Sequence, residues 1–281
     1  MAERGVLARV SKEQYMRKRV ALTGPIFILG LLTVLPLLAI TYGQSDGTRH
    51  PSVGALVAEW EAPGVKSEFC SGALIAPNVF LTAAHCTNYL ETHGITQVWV
   101  TFDPVFDGNA TLYSGTMHTN PDYNKSQSDP GDVAVIVLDQ PLNGITPALL
   151  PPAGYLDALK KQNLLHDTHF TAVGYGVHQR VTGHDAHGFT GTTDVRWFAT
   201  SGYNALTGAW LRLSQNSHLG DGGTCYGDSG GPNFIGSDNS ESNIIAAITV
   251  TGDTMCVATN VTYRLDTISA RAFLQDYVGL P

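Results

Sequence analysis

Charge is scarce in this 281-residue chain: Asp, Glu, Lys and Arg make up only 14% of it. That shortage, with 30 Gly and 14 Pro interrupting the chain, excludes a coiled coil and a helical solenoid. A 43% hydrophobic content excludes a disordered chain, and a mean hydropathy near zero argues against a polytopic membrane protein. Basic residues are scarcer still beyond residue 39. Residues 1–39 carry six of the 16 Lys and Arg but two of the 24 acids, so the rest carries 10 basic against 22 acidic side chains, a net −12. A body so acidic has no clustered cations for phosphate, and no nucleic-acid partner is expected. There are only four cysteines, with no C-x-x-C or C-x-x-H spacing, so a zinc site is not expected. Internal repeats, low-complexity tracts and charge runs are lacking too.

The basic end belongs to an export pattern. Arg17, Lys18 and Arg19 precede an uncharged stretch, Val20 to Ala39, that includes Phe27, Ile28, Leu29, Leu31, Leu32 and Leu35. Gly24, Pro25 and Pro36 argue against a buried core helix, and a basic flank before an apolar run is how export signals begin. Pro36 and the small Ala39 favour cleavage after Ala39; the alternative is a retained anchor, since twenty residues span a bilayer. Either route puts residues 40–281 outside the cytoplasm, secreted or membrane-anchored. Cys70, Cys86, Cys225 and Cys256 all follow the segment, and an even number in an exported chain suggests two disulfides among three possible pairings.

From residue 50 the chain reads as short β runs: 53–57, 73–75, 79–81, 98–102, 133–138, 170–173 and 244–250, separated by Gly, Pro, Asn and Asp clusters. This predicts an all-β fold, a barrel or a sandwich. Asp266 or Thr267 caps a C-terminal helix with Ile268, Phe273, Leu274 and Tyr277 on one side. Residues 183–208 are polar and read as surface loops. Asn109, Asn124 and Asn260 begin N-x-[ST] sequons, for which chance occurrence is the default reading. Asp103 and Asp107 are too few for a calcium loop and read as turn residues.

Three segments carry chemistry: Leu81-Thr-Ala-Ala-His85-Cys86, Asp129-Pro-Gly-Asp132-Val-Ala-Val and Gly227-Asp228-Ser229-Gly-Gly-Pro232. A serine is a weak nucleophile until an imidazole takes its proton, and a carboxylate must hold that imidazole in one tautomer. Taken singly, the histidine reads as surface or core, Asp132 as a turn cap and 227–232 as a tight loop. Together, in the order His, Asp, Ser, they are specific. The G-x-S-x-G pattern at Gly227–Gly231 also fits the nucleophile elbow of an unrelated esterase fold, but that fold places its histidine after the serine, and the last histidine here is His218.

In these motifs the chain resembles the trypsin/chymotrypsin family of serine endopeptidases, closely over 69–86, 132–138, 172–176 and 225–232 and more loosely elsewhere in 40–281. The resemblance implies two six-stranded antiparallel β-barrels, a C-terminal helix, and a site in the cleft between the barrels. It implies His85 as general base, Asp132 as the orienting carboxylate and Ser229 as nucleophile, with the N–H groups of Gly227 and Ser229 as oxyanion hole. It further implies the bridges Cys70–Cys86 and Cys225–Cys256, protein or peptide substrates, a monomer, and no cofactor or metal.

Two expectations depart from trypsin itself. The pocket floor falls at Gly223, where trypsin-type enzymes carry Asp, so nothing there offsets desolvation of a substrate cation. With walls near Thr249–Gly252 and Asn260–Thr262, including Val261, the pocket is expected to favour apolar or small residues. In the resembled family a new N-terminus pairs with the Asp beside the nucleophile, here Asp228. The matching start is Ile40, with no basic cleavage site ahead of it, so cleavage after Ala39 is expected to release the active enzyme directly. A catalytically silent, protease-like binding module is the alternative function.

Overall fold

The computed structural model describes residues 42–177, 179–180, 189–190 and 194–281, with backbone alone at 179–180 and 189–190. The apolar stretch 20–39 and Ile40 lie outside these residues. Among the described residues no helix is long and apolar enough to cross a membrane.

The first half forms β1 (Gln44–Ser45), β2 (Val53–Ala62), β3 (Val65–Ala76), β4 (Val79–Thr82), α1 (Ala84–Thr92), β5 (Val98–Thr101), β6 (Tyr113–Thr119) and β7 (Ala134–Leu138). β2 to β7 close an antiparallel barrel in the order β2-β3-β4-β7-β6-β5. Val and Ile drive it: their branched side chains suit a pleated, buried surface, and Leu56, Leu74, Phe80, Val100 and Ile136 are fully buried in one core. Closure removes the edge strands that would otherwise be left unpaired.

The second half adds α2 (Tyr155–Lys161), β8 (His169–Gly174), β9 (Gln179–Arg180), β10 (Phe189–Thr190), β11 (Trp197–Leu206), β12 (Trp210–Ser214), β13 (Pro232–Ile235), β14 (Ile245–Gly252), β15 (Thr259–Arg264) and α3 (Ile268–Leu274). The order β11-β12-β15-β14-β13-β8, closed by β8 pairing β11, makes the second six-stranded barrel, while β1 adds to the outer edge of β11. The expected double-barrel, all-β fold is therefore the one observed.

Two expectations need correction. Within the segment read as loops, 197–206 is a ten-residue strand paired on both sides, so the polar stretch is part of a barrel wall. Its Thr, Ser, Asn and Gly show no apolar alternation, and tertiary pairing decides its state. In α3 the cap is Thr267, whose hydroxyl accepts from the Ala270 N–H, as read; Ile268, however, is 88% exposed, and the helix buries Ala270, Phe273 and Leu274 instead. Asn260 is fully buried, which bars a glycan there in the folded chain, whereas Asn109 and Asn124 are exposed.

Candidate active site

The turn from β4 into α1 aims His85 at the cleft. Ala83 is still extended (φ −88°, ψ 144°), so the helix begins abruptly and sets His85 in its first turn. That first turn has unsatisfied N–H groups, and the Ala83 side chain has no acceptor to offer. Asp132 supplies it: one oxygen accepts the His85 backbone N–H at 2.8 Å and the other meets His85 Nδ1 at 2.9 Å. A single carboxylate thus caps the helix and engages Nδ1 of the imidazole, leaving Nε2 as the ring's other nitrogen. Asp132 is 4% exposed and held just ahead of β7 by the turn at Gly131, whose carbonyl accepts from Asn120 Nδ2 at 3.0 Å.

Ser229 comes from the second barrel, in the loop between β12 and β13. Short contacts hold that loop: the Ser71 N–H donates to Ser229 O (2.8 Å), Ser71 Oγ donates to Gly227 O (3.0 Å), and the Gly230 N–H donates to Thr249 O (2.7 Å). Ser71 also receives the Tyr175 N–H on its hydroxyl (2.9 Å), so one residue of β3 stitches both barrels together at the cleft. Gly227 has φ +94°, a conformation that L side chains rarely adopt. Among the described residues no acceptor sits on the N–H of Gly227 or Ser229, which leaves two adjacent donors open beside the serine.

Asp228, between them, turns inward and is fully buried. Its carboxylate accepts the N–H of Gly176 and of Cys225, each at 2.8 Å. Burial nevertheless pushes its pKa up to about 7 against the lowering by those two bonds. Gly174 and Gly176 are needed here, because a Cβ on either would overlap the Asp228 carboxylate. Ile40, its expected partner, lies outside the described residues.

Both disulfides form as the resemblance implied. Cys70–Cys86 ties β3 to α1 beside His85, and Cys225–Cys256 ties the Ser229 loop to the segment between β14 and β15. Each closes a loop worth roughly 3 kcal/mol in the chain-entropy account. Cys70, Cys86 and His85 lie close together, but the sulfurs are bonded to each other and offer no thiolate to a metal.

Beside Ser229 opens a cavity of about 240 Å³ lined by Thr224, Thr249, Thr251, Gly252 and Cys256 among others. Of the residues expected around the pocket, Thr249 is in this lining, while Val261 and Gly223 are not.

One cluster had no sequence signal. Arg196 is 1% exposed and donates to Asp46 (Nε, 2.7 Å), Val53 O (2.8 Å), Phe102 O (3.0 Å) and Gly47 O (2.8 Å). Asp46 also pairs with His50 Nδ1, while His50 Nε2 meets Glu241 at 2.7 Å and the ring stacks on Phe234. Despite desolvation, which opposes every charge here, these bonds hold the carboxyls of Asp46 and Glu241 below their ordinary values and raise His50 above its own. Arg196 and Glu241 lie far in sequence from Asp46 and His50, and each alone reads as a surface residue, so only the fold brings this cluster to view.

Comparison with known families matches residues 46–268 to Trypsin, most of the chain and all of both barrels. With that match and the double barrel, the chain belongs to the trypsin family of serine proteases.

Proposed function

We propose that this protein is an exported serine endopeptidase that cleaves peptide bonds through His85, Asp132 and Ser229. His85 Nε2 takes the Ser229 proton as Oγ attacks the substrate carbonyl, and the imidazolium then returns it to the leaving amine. Asp132 holds the Nδ1–H tautomer and stabilises the transient imidazolium. The Gly227 and Ser229 N–H groups receive the oxyanion, each worth about 3 kcal/mol in the transition state. Water then hydrolyses the acyl-enzyme by the same route.

The observation that carries this reading is the bidentate grip of Asp132 on His85, at 2.8 and 2.9 Å, in a chain where Cys86 Sγ lies 4.0 Å from the carbonyl of Ser229, a serine flanked by two open N–H donors. Family membership supports the protease chemistry, and the threonine-rich cavity, whose one lining carboxylate, Asp253, is taken up by the N–H groups of Val257, Ala258 and Thr259, supports a preference for small or apolar residues before the cut.

Activation belongs to the same reading. Removal of the export segment after Ala39 would free the Ile40 ammonium to pair with Asp228. An unpaired buried carboxylate is costly, and pairing would hold the 225–229 loop in its working form. The N-terminal segment serves as a signal, so the domain is secreted; a retained segment would instead anchor it, facing outward.

Treatment of folded, oxidised protein with a fluorophosphonate tests the proposal. The expected result is one label per chain, mapped to Ser229 and abolished by His85→Ala. An unlabelled protein with both disulfides intact would instead be a protease-like binding module.

A further inference from the structure

Next to the cavity beside Ser229 the chain buries a carboxamide that the fold itself does not use. Gln215 follows β12 directly, with its N–H on Ala258 O at 2.9 Å, and no part of it reaches solvent. Neither its Nε2 nor its Oε1 has a hydrogen-bond partner among the described residues. An orphaned buried polar atom costs a protein stability. Local choices that weaken a fold without return are expected at functional sites. The other amides on this sheet are at least partly engaged: Asn260 Nδ2 donates to Asn233 Oδ1 (3.0 Å), though Asn260 Oδ1 has no partner among the described residues, and Asn233 Nδ2 donates to Thr249 Oγ1 (3.1 Å) on the cavity wall; Gln215 alone of the three has neither amide atom bonded.

The place Gln215 takes is informative. A Cβ built on Gly223 would overlap the Gln215 Oε1, with its Cδ and Cγ immediately behind. Gly223 leads directly into Thr224, which lines the cavity. The volume in which a side chain at 223 would stand is therefore filled by a side chain from eight residues earlier, just past β12. Absence of a side chain at 223 does not make the pocket deep.

Resting on the peptidase reading above, we propose that Gln215 is the floor of the primary specificity pocket and sets its depth. The substrate side chain before the cut meets a neutral carboxamide after a short descent between Thr224 and Thr249. Small residues such as Ala and Val fit. A Phe ring or an extended Leu or Met needs Gln215 displaced from a fully packed position, and Arg or Lys finds no anion at the bottom. This narrows the preference from apolar or small to small alone.

The test is kcat/KM on matched peptides with Ala, Val, Leu or Phe before the cut, for wild type, Gln215→Ala and Gln215→Met, each with its melting temperature. Wild type is expected to favour Ala and Val. Gln215→Ala opens the floor and raises the Phe-to-Ala ratio by about tenfold or more, the scale on which a pocket discriminates by size. Gln215→Met keeps the bulk without the orphaned atoms, so it retains the wild-type ratio and melts higher. Gln215→Thr replaces the alanine variant in the comparison should that one not fold. A folded, active Gln215→Ala enzyme with an unchanged ratio overturns the proposal, as does a Gln215→Met enzyme that accepts Phe as readily as Gln215→Ala. A wild type that cleaves none of the peptides and takes no fluorophosphonate label is a different failure, that of the peptidase reading itself.

Discussion

Two aspartates in this domain are equally buried and oppositely treated. Asp46 meets a guanidinium and an imidazole, and its carboxyl is held below the ordinary range. Asp228 meets two peptide N–H groups and, among the described residues, no cation; its pKa is pushed up to about 7. The Asp46 charge is compensated by side chains of the same fold, so that cluster is structural, tying the start of the domain (46–53) to both barrels. The ionisation of Asp228 is left to respond to whatever cation approaches the loop that carries Ser229. Desolvation disfavours the charge on both residues, and only Asp46 has cationic partners among the described residues to offset it.

The largest expected effect breaks the compensated site. Arg196→Met leaves Asp46 buried without its main cation and should cost about 3–5 kcal/mol of stability. For a domain of this size that is a drop of roughly 6–20 °C in melting temperature, measurable by calorimetry. Adding Asp46→Leu should recover part of the loss, because the pair is worth less than its half is costly. A double variant as unstable as the sum of the singles would show that the two residues do not act as a pair.

Asp228 comes next, through pH. A carboxyl raised from 3.8 to about 7 contributes stability that is complete below 3.8 and is lost as pH rises through about 7. In protein retaining a residue ahead of Ile40, unfolding free energy should fall across that window by on the order of 3–4 kcal/mol, and Asp228→Asn should flatten the profile. In protein beginning at Ile40 the fall should shrink, because an ammonium partner lowers the carboxyl pKa. The same two forms differ in turnover if the pairing holds the oxyanion loop; equal kcat would assign Asp228 another role.

His50 gives a smaller effect of the same sign from a different cause. Its pKa is raised by Asp46 and Glu241 against desolvation, so its stabilisation is complete below 6.5 and fades as pH rises through the raised value. His50→Phe should keep the stacking on Phe234, lose about 1 kcal/mol near pH 6, and remove the decline above it. Arg49→Ala, which breaks a partly exposed pair with Glu241 at 3.1 Å, should cost less than about 1 kcal/mol.

What the sequence discloses follows the same division. Most of the first barrel is legible because its strands are runs of Val, Ile and Leu between turn residues, as at Val79–Thr82 and Ala134–Leu138; β6 (Tyr113–Thr119) is not, having no Val, Ile or Leu. His85, Asp132 and Ser229 are legible because each sits in a short motif, and the disulfide pairing follows from the resemblance. β11 is not: Thr200, Ser201, Gly202 and Asn204 look like a loop until β8 and β12 bind them on either side. Arg196 and Gln215 are hidden for the same reason. A polar residue reads as exposed, and only neighbours remote in sequence reveal that it is buried. Gly223 misleads in its own way, since an absent side chain suggests space that Gln215 already fills.

The central claim, that Ser229 and His85 act as one nucleophilic unit, is tested most directly by a double-mutant cycle on peptide hydrolysis. Ser229→Ala and His85→Ala should each lower kcat by about 10⁴–10⁶, and the double variant should be little worse than either. Losses that multiply across the cycle would place the two residues in separate roles and contradict the account.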